Sequence, residues 1–113
     1  MKQTLFRSIL VAVALLLVTD TAFAVNVRGV PSCGKWVKDR QERDVLTTTA
    51  LTNWLVGYLS GLAIGLDKEF FHKDRVAVDN ESIFLWMDNY CRANPLKDVQ
   101  EGGNQLMKER AYK

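Results

Sequence analysis

Residues 45–66, VLTTTALTNWLVGYLSGLAIGL, run for 22 positions without one charged side chain, in a chain where 25% of residues are Asp, Glu, Lys or Arg. A stretch of that length can span a hydrocarbon core as a helix. In a water-soluble domain, a helix uncharged all round must be surrounded by other elements or met by a partner. Leu51, Trp54, Leu55, Tyr58, Leu59, Leu62 and Leu66 recur at steps of three and four, which predicts a helix, and Asp44 is placed to cap its start. Composition speaks against a span: four threonines, one asparagine, one serine and three glycines fill nine of the 22 positions. Asn53 near the centre would be costly in lipid. Gly57, Gly61 and Gly65 form two overlapping G-x-x-x-G steps, a helix-pairing face in lipid. In a soluble protein the same ridge would let another helix backbone approach closely.

The cysteines sharpen this choice. Cys33 and Cys91 are the two in the chain, one on each side of the uncharged stretch. The N-terminus, MKQTLFRSILVAVALLLVTDTAFA, has Lys2 and Arg7, then an apolar run from Ile9 to Val18, then Ala22-Phe23-Ala24. That layout is the export signal of a secretory protein, with cleavage expected after Ala24. Export places both thiols where they oxidise, and two cysteines allow one intramolecular pairing. A span between them would hold them on opposite sides of a membrane, so a Cys33–Cys91 disulfide favours the soluble reading. Closing a loop of that size stabilises by about 4 kcal/mol in the chain-entropy model. Such a staple matters in a domain too short to bury a large core.

Without residues 1–24, which carry Lys2, Arg7 and Asp20, there remain 13 basic and 12 acidic residues, a charge of +1. Nothing in that balance marks a nucleic-acid or anionic-membrane binder. Ser32 is placed to cap a helix from Cys33 to Glu42, with Trp36 and Val37 inward. Residues 67–79 read as a loop around Phe70 and Phe71, with Val76 and Val78 briefly extended. Asp79 or Asn80 caps a third helix to Ala93, whose inner stripe is Ile83, Met87, Tyr90 and Cys91, widened by Phe84 and Trp86. Asn94-Pro95 reads as a cap with proline at the first position of a last helix, which Gly102-Gly103 weakens. The expectation is an all-α single domain, 25–113, a bundle of about four helices with one disulfide.

Chemistry is sparse. GYLSG around Ser60 has the wrong spacing for a nucleophile elbow and no base nearby. His72 is the sole histidine, on a charged loop, and lacks the neighbours of a metal site. The residues 79–89, DNESIFLWMDN, lack the glycine and alternating ligands of a calcium loop. The reading is a non-enzyme without cofactor, whose partners are proteins. Whatever part of the uncharged helix stays exposed, around Trp54 and Tyr58, is the candidate binding surface.

SCGKW at 32–36, the tryptophan-bearing central helix and YCRANPLKDV at 90–99 resemble the periplasmic HdeA/HdeB acid-stress chaperones. The resemblance implies a single-disulfide helical domain in the Gram-negative periplasm, dimeric near neutral pH. Such proteins partly unfold in strong acid and expose apolar surface that keeps denaturing clients in solution. It implies that Trp54, Leu55, Tyr58 and Leu59 contact clients or a second protomer. The glycine-rich GYLSGLAIG has no counterpart in that pattern. GYLSGL followed by a later cysteine-bearing helix also resembles Tai-type immunity proteins, which bind one toxic enzyme in the periplasm and usually carry more cysteines.

Overall fold

The structure is a computed structural model that describes residues 1–3, 26–73 and 76–110. The export signal expected over 1–24 lies, beyond its first three residues, outside the described residues, as does the cleavage point after Ala24. Between Cys33 and Arg110 the chain forms an all-α bundle of four helices with one disulfide, Cys33–Cys91.

Each helix starts on a side chain that satisfies amides the helix itself leaves unpaired. Helix α1, Cys33–Glu42, begins after Ser32, whose Oγ accepts from the Lys35 N–H at 3.1 Å. Helix α2, Val45–Leu66, begins after Asp44, whose Oδ1 accepts from the Thr47 N–H at 2.8 Å. Helix α3, Asn80–Ala93, begins after Asp79, whose Oδ1 accepts from the Ser82 N–H at 2.6 Å. Helix α4, Val99–Arg110, begins on a reciprocal pair: Asp98 Oδ1 accepts from the Glu101 N–H, and Glu101 Oε2 from the Asp98 N–H. Arg43 and Asp67 end α1 and α2 in the left-handed conformation, at φ 57° and 49°.

The expected start of the last helix is corrected here. Asn94 closes α3 rather than opening α4; its backbone N–H bonds to Tyr90 O and Cys91 O, and its amide to Tyr90 O. Pro95 then sits inside a turn closed by the Lys97 N–H to Asn94 O, 3.1 Å. Proline's fixed φ suits that turn position as well as a first helical position, so the dipeptide alone does not choose.

Helix α3 crosses α1 and carries the disulfide to it, and α4 fills the space against α2 and α3. The lead-in segment before α1 is tied to the start of α4 by Cys33 N–H to Lys97 O and Val99 N–H to Pro31 O. Between α2 and α3, two short strands pair antiparallel, β1 (His72–Lys73) and β2 (Val76–Ala77), with His72 opposite Ala77. The core contains Cys33, Trp36, Leu51, Leu55, Leu59, Phe70, Ile83, Phe84, Met87, Cys91, Val99, Leu106 and Met107. Val76 is exposed on β2, while Phe70 from the preceding loop is wholly buried.

Glycines allow α4 to lie this close. A Cβ on Gly102 would stand 2.6 Å from Met87 Sδ and 2.8 Å from the Tyr90 ring. One on Gly103 would stand 3.1 Å from the Tyr58 ring. The close approach expected at Gly57, Gly61 and Gly65 is absent among the described residues: none of the three would place a Cβ within 4 Å of a group outside its own helix turn. The glycine ridge of α2 turns outward, because the larger residues of the opposite face make the core.

Candidate interaction face

Helical periodicity divides α2 sharply. Leu51, Thr52, Leu55 and Leu59 are buried. On the side opposite Leu55, the turn of 3.6 residues aligns Leu46, Ala50, Asn53, Gly57, Gly61 and Ile64. All six are exposed, Leu46 at 81% and Ile64 at 82%. The stripe follows a helix about 33 Å long and carries no charge; Asp44 and Asp67 stand at its two ends. Because two of its positions, Gly57 and Gly61, are glycines and Gly65 lies beside the far end, the backbone itself is accessible there.

One edge of the stripe is aromatic. Trp54 and Tyr58 stack with ring centroids 5.2 Å apart and planes 12° apart. Trp54 Nε1–H donates to Arg28 O at 3.2 Å, and Tyr58 OH donates to Asn104 Oδ1 at 2.7 Å. Both polar handles are held, which fixes the rings against the helix. Burial raises the Tyr58 hydroxyl above the usual tyrosine value against the opposing hydrogen bond to Asn104. Helical hydroxyls look inward: Thr52 Oγ1 donates to Thr48 O, and Ser60 Oγ to Val56 O. That bond occupies Ser60 locally. The face thus offers apolar ends, bare backbone and the Asn53 amide.

The four residues expected to bind a partner are separated by the fold. Trp54 and Tyr58 are half-buried at the edge of the stripe. Leu55 and Leu59 are at 0% exposure in the core. The separation has a simple cause: a residue next to Trp54 or Tyr58 in sequence lies about 100° further around the helix. What the sequence reading missed is the stripe itself, Leu46 to Ile64, for which the run of small uncharged residues was the signal. By length and composition α2 is also long and apolar enough to cross a membrane, with a mean hydropathy of 1.2 over its best window and 22% of that window buried.

A second constellation lies under α1 and α3. Asp88 is buried, with Oδ1 accepting from Trp36 Nε1–H at 2.7 Å and from Arg40 Nε–H at 2.8 Å. Its Oδ2 accepts from Arg40 Nη2 at 2.8 Å. The Arg40 guanidinium also sits 5.8 Å from the Trp36 ring centroid and 5.7 Å from that of Phe84. Burial pushes the Asp88 carboxyl up, but the bonds from Arg40 and Trp36 and the charge of Arg40 outweigh it and hold it below the ordinary value. The hydrogen bond to Asp88 raises Arg40 in turn, against its own partial burial. Trp36 to Asp88 spans 52 positions of sequence. The group ties α1 to α3 beside the disulfide.

His72 is exposed; its backbone N–H donates to Glu69 Oε1 at 2.9 Å, and that bond lowers the Glu69 carboxyl. Among the described residues, no three His, Cys, Asp or Glu are grouped to hold a metal ion. No family model, curated protein or solved structure matches the chain.

Proposed function

We propose that this chain is an exported periplasmic protein that binds unfolded protein clients through apolar surface, in the manner of the HdeA/HdeB acid-stress chaperones it resembles. It acts as a binding protein and not as an enzyme, without a cofactor. One observation carries the reading: an uncharged helix face about 33 Å long that the molecule leaves uncovered, edged by two fixed aromatic rings. Exposed apolar surface of that extent in a small domain marks an interaction site. In the proposal α2 stays out of the bilayer, since it supplies Leu51, Leu55 and Leu59 to the core and the chain on either side meets at the disulfide.

Acid supports the same reading. Asp88 has a depressed folded-state pKa, so the stability it contributes is present above the unfolded carboxylate value of about 3.9 and is lost as pH falls through the lower folded value. At pH 2 the chain from Val25 would carry about +14, and repulsion would loosen the bundle while the disulfide limits its expansion. Loosening would add the buried Leu55 and Leu59 to the surface offered by α2.

The test uses oxidised Val25–Lys113 from pH 7 to pH 2, measuring oligomeric state and suppression of client aggregation. Protection below about pH 3 that disappears on reduction of the disulfide is expected. No protection at any pH would sink the chaperone reading. A second reading, an immunity-type protein holding one partner, is favoured by the face being exposed and its aromatic edge fixed without any unfolding. Recovery of one tight, stoichiometric partner at neutral pH would select it.

A further inference from the structure

Where α1 ends, α2 begins and α3 passes alongside, an open cavity of about 430 Å³ is bordered by Arg40, Arg43 and Arg92, by Gln41 and Thr49, and by the buried Asp88. Three arginines and one carboxylate thus border the same cavity. That carboxylate is fully engaged, with both oxygens bonded to Arg40 and one also to Trp36. Among the described residues Arg43 has no ion pair or hydrogen bond through its side chain; Arg92 donates to the Asn89 amide oxygen at 3.3 Å and forms no ion pair there, although its charge also acts on Asp88.

Elsewhere Lys35, Lys38 and Lys97 each have a carboxylate within 4 Å on their own helix or its approach. Two unpaired guanidiniums on one cavity are therefore a local excess of positive charge. The nearby acids do not cancel it. Glu42 pairs with Lys38 at 3.8 Å, Asp44 is bonded to Thr47, and Glu81 acts on Arg40. Because Asp44 already caps α2, the attraction does not come from the helix end. Among the described residues the Thr49 hydroxyl and the Gln41 amide have no hydrogen-bond partner, and they can complete the shell of an oxyanion. A guanidinium fork fits the paired oxygens of a carboxylate or a phosphate.

We propose that this cavity binds an oxyanion, a carboxylate or a phosphate, held between Arg43 and Arg92. It is independent of the client-binding reading, although Thr49 lies beside the N-terminal end of the α2 stripe. A free phosphate and a carboxylate, free or carried on a bound protein, are two sources of the same chemistry.

The experiment is a heteronuclear NMR titration of oxidised Val25–Lys113 at neutral pH, with inorganic phosphate in one arm and N-acetylglutamate in the other. Saturable shifts confined to residues 40–49 and 88–92 are expected with at least one of the two, and which one tells the source. Arg43→Gln with Arg92→Gln should weaken binding at least about tenfold, since each removes a charge-assisted contact. Lys97→Gln with Lys108→Gln, equal in charge and on or before α4, should change it by less than about twofold, as remote exposed charges are screened. Both Arg variants remove exposed side chains without a carboxylate partner, and their dispersion in the same spectra checks the fold. Linear, unsaturated shifts in both arms, or equal weakening in the two double variants, would overturn the site.

Discussion

Gly57, Gly61 and Gly65 on α2 and Gly102 and Gly103 on α4 all stand inside helices, where each costs about 1 kcal/mol relative to alanine. On α4 a reason is visible in the fold. Gly102 lies against Met87 and Tyr90 and Gly103 against Tyr58, at distances no Cβ could share without movement. On α2 the three glycines face open space. The cost on α4 is offset by close helix approach, whereas the cost on α2, about 3 kcal/mol in total, is offset by no such contact among the described residues. In the proposed function, a helix that keeps its bare side outward and its leucines inward meets its partner on the bare side. This contrast is the physical basis of the proposed interaction face.

Experiments that break or sharpen the contrast can be ranked by size. The closely fitted side is also the disulfide side, so Cys33→Ser with Cys91→Ser gives the largest effect, a loss of about 4 kcal/mol in urea unfolding. Gly102→Val comes next, costing about 3 kcal/mol by overpacking against Met87 and Tyr90, while Gly57→Val should leave stability nearly unchanged. Equal losses at the two positions would erase the distinction. Asp88→Asn leaves Arg40 without its carboxylate and should cost about 2–3 kcal/mol at pH 7. The gap between variant and parent should narrow below pH 4, as the parent's Asp88 takes up its proton.

Smaller changes are more telling. Gly57→Ala and Gly61→Ala should each raise stability by about 0.5–1 kcal/mol yet reduce client protection, because methyl groups would stand where a partner meets the backbone. A gain in both would separate the glycines from binding. Gly103→Ala should fall within about 0.5 kcal/mol of the parent, the helix gain being cancelled by the tight contact with Tyr58.

Much of the fold is written locally. Ser32, Asp44 and Asp79 cap the first three helices as their position in sequence suggests, since a capping side chain reaches only three residues. The pairing of Cys33 with Cys91 follows from there being two. Asn94-Pro95 misleads because one dipeptide serves both a helix start and a turn. The Trp36–Arg40–Asp88 group leaves no local mark: a buried aspartate in WMDNYC looks like any polar residue until α1 lies across it.

The candidate site divides the same way. Sequence alone determined that α2 is a helix, that no charge interrupts it and that its flanks carry the disulfide, because these depend on composition and short-range geometry. Which side of α2 faces the core was decided by the tertiary structure. An amphipathic helix announces its buried side by placing charge opposite, and α2 has no charge to place. Only the fit of Leu51, Leu55 and Leu59 into the core, with α1 and α4 against the helix, sets its rotation. That rotation sends Trp54 and Tyr58 to the edge and leaves the glycines bare.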